Sequence, residues 1–227
     1  MSTVWGMTQS ADDALRHIFE QHGRERSVGA DQALFFEGDP STSVYYVQSG
    51  LIRIETTTSD GRVVLLDLSG PGDTIGELGV VRSQRRSASA WTSHDSVLWE
   101  IAAHDFQELL GADARLAMAV LFRTADRLGE ITFQLVEASA YTAASRTAAR
   151  LVRLIEMAGV NANHPQPIDL AMPITQQQLA EWAGLTREGV VAGLAKLRSL
   201  GIITTGRMRV TVLDLDALRR VAFGGDR

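Results

Sequence analysis

The chain has 227 residues, 45% of them hydrophobic and 22% charged, with a net charge of −5 at pH 7, enough for two small domains that each bury a core. It contains no cysteine, which excludes iron–sulfur sensing, thiol redox chemistry and a disulfide scaffold. His17, His22, His94, His104 and His164 are scattered without metal-site spacing, and no nucleophile motif such as G-x-S-x-G occurs, so neither a metal nor an enzymatic activity is expected.

The N-terminal stretch MSTVWGMTQSADDALRHIFEQ lacks a basic start followed by an apolar run, and no segment approaches the roughly eighteen apolar residues of a membrane span. A cytoplasmic protein without a membrane partner is expected. Asp12 to Phe19 reads as a short amphipathic helix packed on a β module. The turn signals of that module come next, at Gly38-Asp39, Ser49-Gly50, Asp60-Gly61 and Gly70-Pro71-Gly72-Asp73, and such regular spacing predicts a β-sandwich or barrel. Between them lie strand-like runs at Val44–Val47, Leu51–Ile54, Val63–Leu66 and Val97–Ile101.

One segment of this module differs from plain scaffold: Gly76-Glu77-Leu78-Gly79, a short loop, then Arg85-Arg86-Ser87-Ala88. Backbone N–H groups at a short helix start, one guanidinium and one hydroxyl together can hold a cyclic phosphate. The competing reading is a β-turn with a surface Glu–Arg salt bridge.

From Ala114 to Ala138 there is no proline and one glycine, and small or apolar residues recur in alternating steps of three and four: Ala114, Ala117, Leu121, Thr124, Leu128, Ile131, Leu135, Ala138. This is a coiled-coil pattern, predicting a helix of roughly 37 Å at 1.5 Å per residue. On a lone helix the stripe would read as an intramolecular core face. Because Gln176 to Ala195 has the spacing of a helix-turn-helix, a parallel homodimer seam over Leu121, Thr124, Leu128, Ile131, Leu135 and Ala138 is favoured, since pairing supplies a second half-site. A hinge is expected near Ser139 to Thr142, then a helix from Ser145 to Ala158 with Leu151, Val152, Leu154 and Ile155 buried. Asn161 to Pro173 reads as a loop and edge strand, broken by Pro165, Pro167 and Pro173.

Gln176 to Ala195 has the spacing of a helix-turn-helix. Ala180 is small where two helices cross, Gly184 can take φ > 0 in the turn, and Leu179, Leu185 and Val190 can lock the pair. Thr175 can cap the first helix with Gln178 reaching back, and Thr186 can cap the second. The second helix opens on Arg187, able to donate to guanine O6 and N7, and Glu188, able to accept from cytosine N4, each discriminating by roughly 1–3 kcal/mol. A solvated helix start with Glu188 favoured by the helix dipole is the alternative. Residues 201–212 read as two short strands hinged at Gly206 with a basic tip, making a winged unit. From Ile174 onward eight basic residues stand against five acidic ones, a local +3, so the rest of the chain carries −8. Positive charge confined to one module suits phosphate binding, although Arg219, Arg220 and Arg227 are also explained as solubilising surface. The predicted DNA-facing set is Thr175, Gln176, Thr186, Arg187, Glu188, Val191, Ala192, Lys196, Arg207 and Arg209. Gly189 and Gly193 inside the second helix carry a propensity cost of roughly 2 kcal/mol together.

Gly-Glu-Leu-Gly followed by Arg-Ser-Ala, ahead of a long helix and a winged helix-turn-helix, resembles the cyclic AMP receptor protein, or Crp/Fnr, family of transcription factors over nearly the whole chain. The resemblance implies an α+β fold: a β-roll or jelly-roll effector domain over 1–112, a dimerisation helix over 113–140 and a DNA-binding domain over 141–227. It implies an effector set of Gly76, Glu77, Leu78, Arg86, Ser87, Ala88, Arg127, Ile131 and Thr132. Arg86 and Ser87 would grip the phosphate of cyclic AMP or cyclic GMP, Glu77 the ribose hydroxyl, and Arg127 would pair with Glu77. Ile131 and Thr132 fall where members place hydroxyls against adenine, and Ile131 has none. Ala192 stands where many members carry a base-reading arginine, which predicts an altered half-site. The implied partners are double-stranded DNA with a near-palindromic operator, a second copy of the chain, and RNA polymerase. Two rivals stay open: a constitutive DNA binder whose pocket is empty or differently liganded, and a nucleotide sensor without DNA binding.

Overall fold

The computed structural model describes residues 2–160 and 165–223, and their side chains apart from those of 2–11, 133, 135 and 137–139. The seam positions Leu135 and Ala138 therefore lie outside the described side chains, and His164 and Arg227 outside the described residues. The chain divides into two units, Met1–Ile131 and Thr132–Arg227, with the division inside the long helix.

The first unit opens with α1 (Ser2–His22), longer than the Asp12–Phe19 helix the sequence predicts, followed by β1 (Arg24–Val28), β2 (Ala33–Phe35), β3 (Ser43–Ser49), β4 (Ile52–Thr57), β5 (Val63–Ser69) and β6 (Thr74–Ile75). After them come α2 (Glu77–Val81), β7 (Ser89–Thr92), β8 (Ser96–Ala102), α3 (Ala103–Ala112) and the long helix α4 (Ala114–Ala140). The strands form two antiparallel four-stranded sheets, in the orders β1-β8-β3-β6 and β2-β7-β4-β5. Gly38, Gly50, Gly61 and Gly72 all have positive φ, so the punctuation read from the sequence marks real turns.

Side-chain alternation along β3 explains how the layers stack. Tyr45 and Val47 point between the sheets, joining Val28, Ile52, Ile54, Ile75 and Leu98 in the sandwich core. Val44 and Tyr46 point the other way, into a second core with Leu15 and Phe19 of α1, Phe106 of α3 and Leu116, Ala119 and Val120 of α4. Both faces of β3 are thereby covered, which is why Val44–Val47 is apolar without a break. The first half of α4 is thus welded to the β module by one face.

The second unit holds α5 (Ala143–Met157), β9 (Ile168–Ala171), α6 (Gln176–Ala183), α7 (Arg187–Ser199), β10 (Ile203–Gly206), β11 (Arg209–Val212) and α8 (Leu215–Ala222). Thr142 caps α5 by accepting from Ser145 N, and Leu151, Val152, Leu154 and Ile155 are buried. The three strands run β10-β11-β9, placing β9 at an edge. The expected wing hinge at Gly206 moves: Gly206 pairs with Arg209 as the last rung of the hairpin. Arg207 and Met208 make the turn, and Met208 has φ 51°. Counting rungs leaves two residues for the loop, and the glycine beside it is ordinary strand.

Candidate effector pocket and nucleic-acid interface

The cassette lies between β6 and β7. Gly76 takes φ 82° at the start of α2, and a Cβ there would collide with the Arg86 guanidinium, so both conformation and space call for glycine. Arg86 is only 4% exposed. Its Nη1 donates to the Gly76 carbonyl at 2.8 Å and its Nη2 to the Ser43 carbonyl at 2.7 Å, with the guanidinium 4.0 Å over the Phe35 ring. Its Nε is buried without a partner. Burial lowers its pKa, a cost that an anion brought against it would offset. Ser87 and Leu78 are exposed, while Ala88 packs in the sandwich core.

Glu77 is 7% exposed, and its Oε2 has no hydrogen-bond partner. Burial pushes its pKa up, against the pull of Arg127. Arg127 Nη1 stands 3.9 Å from Glu77 Oε1, and Arg127 Nη2 only 2.9 Å from Asp67 Oδ2. The nearer partner, Asp67 of β5, is absent from the sequence-based set; its signal was a lone carboxylate inside the apolar run VVLLDLS. A turn earlier on α4, Arg123 pairs with Asp12 at 3.1 Å and Asp73 at 3.6 Å. The structure thus sets Arg86 against Gly76 and Arg127 near Glu77. Farther along α4, Ile131 and Thr132 are exposed. Leu121, Thr124 and Leu128 lie on the same helix and all three are exposed.

In the second unit, Thr175 and Gln178 form a reciprocal capping box on α6, and Gly184 ends that helix at φ 60°. Thr186 caps α7 by accepting from Gly189 N at 3.1 Å. Leu179, Ala180 and Val190 are buried, while Leu185 is partly so. This packing leaves Arg187, Glu188, Val191, Ala192 and Lys196 exposed along one side of α7. Arg187, Glu188, Lys196 and the wing's Arg207 have no side-chain hydrogen bond or ion pair among the described residues. Arg209 pairs with Asp169 of β9 at 3.5 Å, and Arg198 of α7 donates to Thr205 of β10 at 2.9 Å. Thr175 and Gln176 are exposed at the start of α6.

Two buried arginines of α5 escaped sequence reasoning. Arg146 donates through Nε to the Ala183 carbonyl at 3.0 Å and through Nη2 to that of Gly184. Arg150 donates to the Trp182 carbonyl at 3.2 Å. These are the carbonyls that the end of α6 leaves without intrahelical partners. A Cβ at Gly184 would press on Arg146, so the turn glycine also admits the guanidinium. Gly193 is buried against α5, where a Cβ would stand 2.8 Å from the Ala143 carbonyl oxygen. What reads in the sequence as a weak helix position is a close helix crossing.

Among the described residues no three metal-capable side chains group together, and no helix is long and apolar enough to cross a membrane. Residues 25–113 match the cyclic nucleotide-binding domain and residues 145–221 the Crp-like helix-turn-helix domain. The chain is 30% identical over 191 residues to the cyclic AMP receptor protein of Thermus thermophilus, covering 84% of each. It is 28% identical over 198 residues to a CRP-like cAMP-activated global transcriptional regulator of Mycobacterium tuberculosis, covering 83% of this chain and 84% of that one. The solved c-di-GMP responsive global regulator CLP of Xanthomonas campestris superposes with a TM-score of 0.71 at 26% identity, over 88% of this chain and 99% of that one. A nucleotide-binding β-roll followed by a winged helix-turn-helix, matched in this order, makes the chain a member of the Crp/Fnr family: a DNA-binding transcriptional regulator, not an enzyme.

Proposed function

We propose that two copies pair through α4 and read a near-palindromic duplex with Arg187 and Glu188 of each α7, under control of a cyclic nucleotide, cyclic AMP first, at the cassette. The observation that carries this reading is the start of α7, a capped helix end whose Arg187 and Glu188 are exposed and without side-chain partners among the described residues. Free donors and acceptors at that place are what base edges in a major groove select. Val191 and Ala192 offer apolar contact to thymine methyls, and Lys196, Arg207 and Arg209 offer charge to phosphates, with the Thr175, Gln176 and Thr186 helix starts facing the backbone. For the effector, the support is a pair of orphaned polar atoms, Glu77 Oε2 and Arg86 Nε. They suit a ribose hydroxyl and a cyclic phosphate, with Ser87 beside Arg86 and Gly76 giving close backbone approach. Leu78 and Ala88 shape the wall, and Arg127, Ile131 and Thr132 stand toward the base. Occupancy would alter the packing of α4 and, through residues 139–142, the spacing of the two reading helices. Such a regulator acts in the cytoplasm, with RNA polymerase the further partner that family membership suggests.

A second reading, a constitutive binder or one tuned to another ligand, is favoured by Ile131, which cannot hydrogen-bond a base. The c-di-GMP responsive relative shares the fold. Duplex selection from random sequence, with and without cyclic AMP or cyclic GMP, together with calorimetric titration, tests both. A near-palindromic consensus that the double variant Arg187→Ala, Glu188→Ala no longer selects is the expected result. Heat from neither nucleotide establishes the second reading, and an unchanged consensus in the variant discards the assignment of the readers.

A further inference from the structure

The wing hairpin closes with Gly206 opposite Arg209, so Arg207 and Met208 form its tip. Met208 sits at φ 51°, in the left-handed region that glycine, asparagine and aspartate occupy with least strain. The residue is 53% exposed, so within this unit the strained position returns little burial. Surrounding structure nevertheless fixes it. The Met208 carbonyl accepts from Met172 N at 2.9 Å, and Asp169 accepts from Thr211 Oγ1 at 2.6 Å while pairing with Arg209. The Arg198 to Thr205 bond ties β10 to α7, so the tip is held in place relative to the reading helix. An over-determined strained residue carrying an exposed apolar side chain points to a contact made with something else. Its two neighbours are guanidinium side chains, and Arg207 has no partner among the described residues.

Resting on the DNA-binding reading above, we infer that Met208 is a DNA-contacting residue that enters the minor groove beside the segment read by α7. It packs on sugar and base edges there, while Arg207 and Arg209 straddle it toward the phosphates. A two-residue turn is narrow enough for a groove about 6 Å wide, whose negative potential draws flanking arginines and whose floor accepts an apolar side chain. The major groove at the same half-site is taken by α7.

The test compares the full chain with Met208→Gly, which removes the side chain and relieves the positive φ together. The variant is expected to unfold at the same or a higher temperature than wild type, yet to bind the selected duplex roughly tenfold more weakly, as for one lost base-step contact. Replacing G·C by inosine·C in the pairs flanking each half-site changes the minor groove alone. That replacement should alter wild-type affinity and leave the variant's unchanged. Equal affinity of the two proteins, or an equal response to inosine, overturns the Met208 contact while leaving duplex reading by α7 intact. A wild-type chain without salt-sensitive duplex binding overturns both.

Discussion

Gly193 and Gly189 sit four residues apart on α7 and face different surroundings. A Cβ at Gly193 would press on the Ala143 carbonyl oxygen and Thr147, whereas at Gly189 the nearest atoms lie 3.5 Å away, an ordinary contact. Their alanine variants are therefore expected to move stability in opposite directions. Gly189→Ala should gain up to about 1 kcal/mol from helix propensity, and Gly193→Ala should lose about 1–3 kcal/mol as α7 is forced off α5; urea unfolding of the single variants gives both signs. Glu77 supplies a pH test. Its buried carboxyl has a raised pKa, so the native state binds this proton more tightly than the unfolded chain does. Stability contributed by the group then falls as pH rises from the unfolded value toward the folded one, and stays level above it. Glu77→Gln cannot ionise, and Asp67 still holds Arg127. The variant should thus melt above wild type at pH 7 and lose that advantage near pH ~4, where the unfolded carboxyl itself takes up its proton. Identical melting differences at both pH values would remove the buried-charge explanation. Residue chemistry of this kind was only partly legible. The sequence marked Gly76, Glu77 and Arg86 as a group, but the close crossing at Gly193 depends on α5, forty-odd residues upstream, and no local pattern reports it.

At the scale of elements, α4 carries two faces. One buries Leu116, Ala119 and Val120 against the β module and turns Arg123 and Arg127 toward its carboxylates. The other leaves Leu121 58% and Leu128 64% exposed, one heptad apart. The sequence posed core face and pairing seam as rivals, and the structure gives the helix a core face on one side and exposed heptad leucines on the other. On the proposed pairing through α4, wild type is expected to sediment as a dimer at micromolar concentration and Leu128→Glu as a monomer, with little change in melting of the first unit, since Leu128 buries little there. A variant that still sediments as a dimer would place the seam elsewhere. Strands with an apolar run, such as β3, or with alternation, such as β4, were legible; β1, reading RERSV with only Val28 buried, and the two-residue β6 were not, because edge and fragmentary strands have no periodicity to show. Helix α8 had a signal that went unused: Asp214 caps it by accepting from Ala217 N, and Leu215, Leu218 and Ala222 form one buried stripe.

For the whole molecule, the order of modules was written in the sequence because each has its own grammar: turns at even spacing, then a heptad stripe, then two capped helices and a hairpin. What the sequence left out are the joints, where Asp67 competes with Glu77 for Arg127 and where Arg146 and Arg150 anchor the end of α6. The bare crossing of α7 on α5 has a mechanical meaning. With no side chain between them at Gly193 and two guanidinium bolts into the end of α6, the reader and the helix that leads into it form a gear without backlash. Twist entering at Thr142 would therefore carry α6 and α7 together with α5, and on the proposed reading small displacements suffice to open or spoil the fit on a duplex.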